Sequence, residues 1–409
     1  MNFEVDGRWL KNNFMLFNKI SSSKIGITRT VYTQTWLQAH KQIKRLMENA
    51  GLMVHVDGVG NIIGSWLPKE KIYGRIATGS HFDSVRTGGN YDGLLGVLSA
   101  IAAVKTLKKH KISLNKQIDI IAFAGEEGER FKIGCLGSKA IAGLLDAKTI
   151  ETIKDADGIT LKEAILKCGF SADIHSCIIP PNYYDYFLEL HIEQGPILEN
   201  MGINIGIVTG IAAISRIKVT YIGEQGHAGT VPMNLRKDVT LALAETILKV
   251  REVVLATNAN AVGTVGYIKI EPNVPNVIPG KVDFIIEIRS IHAKLKKELM
   301  ANTLKQINNI SKKYNVNSRV QIIVDEIPTL IDKQIVALIE SSAKNLGYST
   351  YRMISGAGHD ASYMARITKI GMLFIPNRGG SHNPNEKTDL EDIIRGTKTL
   401  TNILKTLSE

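Results

Sequence analysis

The sequence predicts an α/β protein in two domains. One has a mostly parallel central sheet flanked by helices, and the other is an inserted α+β domain of ferredoxin-like order. Three observations predict this. Residues 75–123 run strand, helix, strand, and the second strand, Gln117-Ile118-Asp119-Ile120-Ile121-Ala122-Phe123, is largely apolar, as strands buried on both faces of a parallel sheet are. Residues 215–325 instead alternate with period two and follow the order β-α-β-β-α-β, that of a small antiparallel sheet with two helices on one face. The length of 409 residues also exceeds one ordinary core. The expected division is 1–212 with 328–409 for the layered domain and 213–327 for the insert, Pro328 returning the chain to the first domain.

Taken in order, residues 36–50 have helical spacing, with Leu37, Ile43, Leu46 and Met47 on one face and Gly51 closing the helix. Short strands are expected at 53–57 and 61–64, and a further strand at 75–80 whose exit carries His81. A helix at 94–107 precedes the apolar strand, and a strand at 186–190 precedes His191. Within the insert the spacing gives strands at 215–222, 263–270, 282–289 and 320–325 and helices at 239–255 and 294–313. Helices at 333–346 and 390–407 complete the first domain. The chain shows no internal repeat and no low-complexity tract.

Composition excludes several classes. With 44% apolar and 22% charged residues the chain is neither disordered nor collagen-like. The net charge of +11 comes from scattered lysines such as Lys108-Lys109, Lys296-Lys297 and Lys312-Lys313. No basic run is interleaved with aromatics, so these read as solvated surface and no nucleic-acid partner is expected. Cys135, Cys168 and Cys177 are too few and too oddly numbered for a disulfide framework, which fits a reducing compartment. Cys135 reads as a packed small residue. The start, Met1-Asn2-Phe3-Glu4-Val5-Asp6, has early acids and no apolar run of signal-peptide length. No stretch approaches the roughly 20 apolar residues of a membrane span. The expectation is a soluble cytoplasmic protein with no membrane partner.

Five short stretches each offer a metal-binding side chain. They are Gly79-Ser80-His81-Phe82-Asp83, Asn90-Tyr91-Asp92-Gly93, Gly125-Glu126-Glu127-Gly128, Leu190-His191-Ile192-Glu193 and Gly380-Ser381-His382-Asn383. Two ions sharing one carboxylate need about three protein ligands each, and imidazole with carboxylate and no thiolate suits Zn, Mn or Co. Such a pair acidifies water, so the chain reads first as a metal-dependent hydrolase. Three of the stretches lie at strand exits, where open α/β sheets place their ligands. Each has a bland alternative: His81 with Asp83 as a surface pair, Asp92 in a plain Asp-Gly turn, Glu126-Glu127 as a solvated pair at a helix start. The adjacent acids after a buried strand are costly unless a cation compensates, and five coincidences are harder to accept than one site.

In sequence order, the motifs Gly-Ser-His-Phe-Asp-Ser (79–84), Gly-Gly-Asn-Tyr-Asp-Gly (88–93), Glu-Glu-Gly-Glu-Arg-Phe (126–131), His-Ile-Glu-Gln-Gly-Pro (191–196), Gly-His-Ala-Gly-Thr-Val-Pro-Met (226–233), Asn-Val-Ile-Pro-Gly (276–280), Ser-Gly-Ala-Gly-His-Asp-Ala (355–361) and Gly-Ser-His-Asn-Pro-Asn-Glu (380–386) resemble those of the hydantoinase/carbamoylase branch of the dinuclear-metal aminoacylase and carboxypeptidase superfamily. That branch holds N-carbamoyl-L-amino-acid hydrolases, allantoate and ureidoglycolate amidohydrolases and β-ureidopropionases, and the resemblance runs from about Thr28 to Leu407. It implies two divalent ions per subunit, one held by His81, Asp92 and His191 and the other by Asp92, Glu127 and His382. It implies Glu126 as general base, Asp83 as the residue that orients the site, and a homodimer through an insert that acts as lid. His227 of the insert would reach the site of the other subunit and polarise the scissile carbonyl. Asn276 and Arg289 match the pair that grips a substrate carboxylate, a task for which the planar guanidinium fork is suited. Gln194, Arg216, Gly358 and His359 fall where the family builds the rest of the pocket. Read locally, Arg289 is equally a same-face neighbour of Glu287, Asn276 a turn residue and His227 a loop histidine.

Substrate signals are mixed. Gly210-Ile211-Ala212-Ala213-Ile214-Ser215-Arg216 departs from the Gly-Gln-Arg-Arg run of allantoate amidohydrolases. Phe131-Lys132-Ile133-Gly134-Cys135-Leu136-Gly137-Ser138 resembles the ureidoglycolate group, while Ser355-Gly356-Ala357-Gly358-His359-Asp360 keeps the carbamoylase form. The expected substrate is a small anionic ureido compound, first an N-carbamoyl-L-amino acid and second allantoate or ureidoglycolate. An aminopeptidase or dipeptidase on the same metals, or a binding protein that has kept the fold, are the readings from other classes.

Overall fold

The computed structural model describes residues 3–257 and 261–409. Met1 and Asn2 of the N-terminal reading lie outside them. Along the chain the strands are β1 (Met53–Val56), β2 (Ile62–Trp66), β3 (Arg75–His81), β4 (Gln117–Phe123), β5 (Tyr186–Ile192), β6 (Ile205–Ile211) and β7 (Ala213–Ile222). They continue with β8 (Gly226–His227), β9 (Ala261–Glu271), β10 (Val277–Ile278), β11 (Lys281–Ser290), β12 (Asn317–Asp325), β13 (Thr329–Leu330), β14 (Thr350–Ser355) and β15 (Lys369–Ile375). Two compact units result: Met1–Thr209 with Ile331–Ser355 and His359–Glu409, and Gly210–Leu330 with Gly356–Gly358.

The first unit is built on a sheet of order β1-β2-β4-β3-β5-β15-β6. Its centre, β4-β3-β5-β15, is parallel, and antiparallel pairs flank it at β2–β4 and β15–β6. The central strands are buried along nearly their whole length, which is why their sequences run apolar without alternation. Helix Leu94–Lys109 is buried almost all round and packs on β3 and β5 and against helix Leu390–Ser408. Gly96 permits that approach, since a Cβ there would lie 2.5 Å from the Leu190 carbonyl oxygen.

The second unit has an antiparallel sheet of order β12-β7-β11-β9. Alternate residues of β7 and β11, among them Ile217, Val219, Tyr221, Phe284 and Ile286, point into one core with helices Val239–Leu255 and Ala293–Lys313. The opposite face carries Arg216, Lys218, Glu287 and Arg289. At its ends β13 returns beside Ile211 and Gly210. Both architectures are those that the strand spacing predicts.

Several elements differ from expectation. His81 and His191 are not beyond their strands but within the last turns of the pleat, at the end of β3 and one residue from the end of β5. Strand β15, between β5 and β6 in the centre of the sheet, carries no local feature that sets it apart from a buried helix segment. Helix Gly7–Phe17, with Asp6 capping Trp9 N–H, was likewise not predicted.

Candidate metal centre

Asp92 lies at the middle of the site, in the loop before helix Leu94–Lys109, and its two oxygens face different sets of ligands. Oδ1 is 3.4 Å from His81 Nε2 and 3.2 Å from His191 Nε2. Oδ2 is 3.4 Å from His382 Nε2, which is in turn 3.2 Å from Glu127 Oε2. All five residues carried over as ligands therefore meet at one place, in two overlapping triads. Gly93 makes room for this. Its φ is +66°, and a Cβ there would lie 2.4 Å from the His81 ring.

The donor set fits cations, on three observations. His191 Nδ1 lies 2.9 Å from the Ile192 carbonyl, which can only accept, so Nδ1 carries a proton and Nε2 presents the lone pair that a metal would take, here accepting from Gly93 N–H at 3.1 Å. His81 Nδ1 faces Asp83 Oδ1 at 3.4 Å, the arrangement by which a carboxylate fixes a liganding ring. Finally, Asp92 Oδ1 and Glu127 Oε1 are buried without a hydrogen-bond partner, and such atoms are costly unless something pairs with them.

Burial and neighbouring charges shift the titrating groups of the site. Contacts with Asp92 and then Glu127 push His382 up to about 11. Burial works to lower His81, but Asp83 and Asp92 hold it well above the ordinary imidazole range. Burial and then Asp92 raise Glu127. Burial raises Glu126 well above the carboxylate range, with His81 opposing and Glu127 adding to it.

Asp83 does more than the sequence shows. Its Oδ1 accepts from Glu126 N–H at 3.0 Å and its Oδ2 from Glu127 N–H at 3.2 Å, so it fixes the turn that carries both acids. Glu126 Oε1 also accepts from Cys135 Sγ at 3.2 Å. Sequence reasoning missed that contact, along with the support of Asp92 by Glu386 and Ser381. Glu386 accepts from the N–H groups of Tyr91 and Asp92 at 2.9 and 3.1 Å. Ser381 Oγ bridges Asp92 Oδ2 and Glu386 Oε2 at 2.5 and 2.6 Å. Glu386 closes the quoted motif Gly-Ser-His-Asn-Pro-Asn-Glu, which is the one signal that could have pointed to it.

Gln194 and His359 join this site. Gln194, at φ +63°, donates from Nε2 to Asp92 Oδ2 at 2.8 Å. His359 packs edge-on against His191 with ring centroids 4.7 Å apart, and its Nε2 is 2.9 Å from Ser355 Oγ. A third group of possible ligands, Glu189, His191 and His359, is satisfied differently. Glu189 accepts from Ser80 Oγ at 2.7 Å and from Ala361 N–H at 3.1 Å, so it braces the wall behind His191.

Arg216, His227, Asn276, Arg289 and Gly358 belong to the second unit. Arg216 and Arg289 both pair with Glu287. His227 is exposed on β8, paired with Val277 of β10, and its Nδ1 accepts from Gly229 N–H at 3.0 Å. In the neutral ring the proton is then on Nε2, free to be donated. Asn276 directly precedes β10. A Cβ on Gly358 would meet nothing within 4 Å. The structure does not bring Asn276 and Arg289 together within one chain. Arg289 lies eight residues into β11, roughly 26 Å at the usual strand rise, from the end nearest Asn276.

A model of peptidase family M20/M25/M40 matches residues 52–406. A ureidoglycolate hydrolase of Arabidopsis thaliana is 39% identical over 99% of this chain and 87% of its own length. An N-carbamoyl-L-amino acid amidohydrolase of Geobacillus stearothermophilus is 36% identical over 92% of each. The crystal structure of an amidase of the hydantoinase/carbamoylase family from Burkholderia multivorans superposes with a TM-score of 0.93 at 31% identity, covering 100% of this chain and 99% of that one.

Proposed function

The chain belongs to peptidase family M20/M25/M40 and is a metal-dependent amidohydrolase, and from that premise we propose that it cleaves the ureido C–N bond of an N-carbamoyl-L-amino acid. The observation that carries this reading is Asp92, whose two oxygens face separate imidazole groups. His81, Asp92 and His191 would hold one divalent ion, and Asp92, Glu127 and His382 the other, as Zn, Mn or Co. When bound, such a pair supplies Lewis-acid activation of water and of the scissile carbonyl.

Glu126 stands beside Glu127 on a turn fixed by Asp83 and takes the proton of the attacking water. It then returns that proton to the leaving nitrogen as the C–N bond breaks. The amine departs, and the carbamate decomposes to carbon dioxide and ammonia. His227 donates from Nε2 to the developing oxyanion. Arg289 holds the substrate carboxylate, and Gln194, Arg216, Gly358 and His359 line the remainder of the pocket.

The length of β11 that separates Arg289 from the strand end following Asn276 favours a homodimer, in which His227 and Asn276 of one subunit serve the site of the other while the insert closes as a lid. Leu241, Leu248 and Leu255 support this. They are exposed, seven residues apart and so on one face of helix Val239–Leu255, an apolar stripe of the kind that a second copy would cover. Three free cysteines fit a cytoplasmic location. Among the described residues no helix is long and apolar enough to cross a membrane.

Ureidoglycolate is the second reading, favoured by the identity with the plant hydrolase and by the run at 131–138; allantoate is the third. Ammonia release from N-carbamoyl-L-amino acids, ureidoglycolate and allantoate, with Zn, Mn or Co added, tests all three. Turnover of the first class with little from the others is expected. Activity confined to peptides with a free amine would overturn the ureido assignment.

A further inference from the structure

On the face of the second unit's sheet opposite its helices, Glu287 lies between two arginines. Glu287 and Arg216 are cross-strand partners on β11 and β7, and Arg289 follows two residues along β11 on the same face. Glu287 Oε2 accepts from Arg216 Nε at 2.6 Å. Its Oε1 accepts from Arg289 Nε at 2.8 Å and lies 2.7 Å from Arg289 Nη2. Arg289 Nη1 donates to the Gly356 carbonyl at 2.8 Å. A guanidinium has five N–H donors, and these contacts use three. One N–H remains on each terminal nitrogen, and two such donors match the two oxygens of a carboxylate.

We propose that Glu287 is a positioning residue: it takes the Nε side of Arg289, turns the guanidinium so that its terminal nitrogens face substrate, and leaves the Arg216–Glu287–Arg289 group with a single net positive charge, suited to a monocarboxylate. This rests on the reading that Arg289 holds the substrate carboxylate. The physical case is the difference between a held and a free arginine. An arginine on an open strand face samples many rotamers and loses that freedom on binding. One fixed on its Nε side by a carboxylate and on Nη1 by a carbonyl has already lost it. Glu287 is partly buried, with a side chain 22% exposed, and the two arginines hold its carboxyl below the ordinary range against the opposing effect of burial, so it stays charged at neutral pH. Alone on this face, Arg216 and Arg289 would repel each other and would favour a dianion.

The test uses the full-length, metal-loaded enzyme with the best substrate of the ureido panel and with the carboxamide analogue of that substrate. Glu287→Gln should raise KM for the carboxylate about tenfold or more, the expected cost of losing one charge-assisted orientation, with kcat and the kcat/KM of the carboxamide little changed. In an Arg289→Gln background the Glu287 substitution should add nothing. Glu287→Asp keeps the charge but not the reach to both arginines, and should move KM in the same direction. The proposal is overturned if Glu287→Gln leaves KM for the carboxylate within about twofold, or if it impairs carboxylate and carboxamide equally. The two failures are separable. If Arg289→Gln itself fails to distinguish carboxylate from carboxamide, the carboxylate reading is wrong; if it distinguishes them and Glu287→Gln does not, only the role of Glu287 falls.

Discussion

The two halves of the metal centre are built differently. The inner half, His81 and His191 around Asp92 Oδ1, lies on two central parallel strands, and its side chains are at most 3% exposed. The outer half, Glu127 and His382 around Asp92 Oδ2, lies on loops after β4 and β15. His382 has a side chain 50% exposed and a backbone φ of +59°. Strands fix a ligand through their ladders, whereas loops depend on local contacts and open more readily. The inner position should therefore hold its ion more tightly and exchange it more slowly than the outer one, with Asp92 tying the two together.

The largest expected effect comes from the residue the halves share. Asp92→Asn should cost at least about a thousandfold in kcat/KM, because both of the proposed ions would lose a ligand and the Gln194 and Ser381 contacts would lose their charge. Elemental analysis should find both ions depleted. Retention of a full pair would break the comparison at its root. Glu126→Gln should cost about a hundred- to ten-thousandfold in turnover, the range of a general base, with metal content unchanged. Parallel loss of metal would instead make Glu126 a ligand and shift the boundary between the halves.

A smaller and more discriminating effect separates the halves directly. His382→Ala should lose one ion and keep the other, while His191→Ala should lose the inner ion and lower the melting temperature as well. Chelation of the wild-type enzyme should proceed in two phases, the fast one missing from His382→Ala. A single phase in both proteins would mean that the ions leave together and that the strand-borne half has no advantage.

How far this contrast was legible in the sequence follows the same division. Histidines at the ends of apolar strands can be read locally, because strand period and burial are properties of neighbouring residues. The helix Val239–Leu255 and the strand Gln117–Phe123 have the bounds that spacing gives. The supports of the outer half cannot be read in that way. Glu386 holds the N–H groups of Tyr91 and Asp92 across some 295 residues of chain, and Asp83 holds Glu126 across 43. Beyond the motif at 380–386 that Glu386 closes, no local pattern marks either contact. Strand β15 shows the limit most plainly. Lys369-Ile370-Gly371-Met372-Leu373-Phe374-Ile375 is a central strand, yet the apolar run of six residues after Lys369 fits a buried helix as well. The separation of Asn276 from Arg289 was also hidden, since it depends on how far along β11 Arg289 lies from the end that follows Asn276.

The finest test asks what anchors the inner half. Between His81 and Asp83, which face the site, Phe82 turns the other way and stacks on Trp36 at 5.0 Å, within a cluster that also holds His40 and Phe170. His40 is 4% exposed and its Nε2 has no hydrogen-bond partner. Burial, with the neighbouring lysines adding and the Gly60 backbone opposing, brings it down to about 4. Between pH 6.5 and about 4 the unfolded chain thus binds a proton at this ring that the folded chain does not, so the contribution of His40 to stability is present above pH 6.5 and is lost as the pH falls. The loss should reach roughly 2 kcal/mol by pH 5. Over the same range the raised Glu126 and Glu127 act in the opposite sense, so the His40 contribution is read as the difference between wild type and His40→Leu in urea unfolding of the metal-free protein, a difference that should grow as the pH falls. An unchanged pH slope in His40→Leu would mean that the aromatic cluster admits a charged ring. It could not then be the closed anchor that holds His81 and Asp83 in register, and the rigidity assigned to the inner half would have to come from the sheet alone.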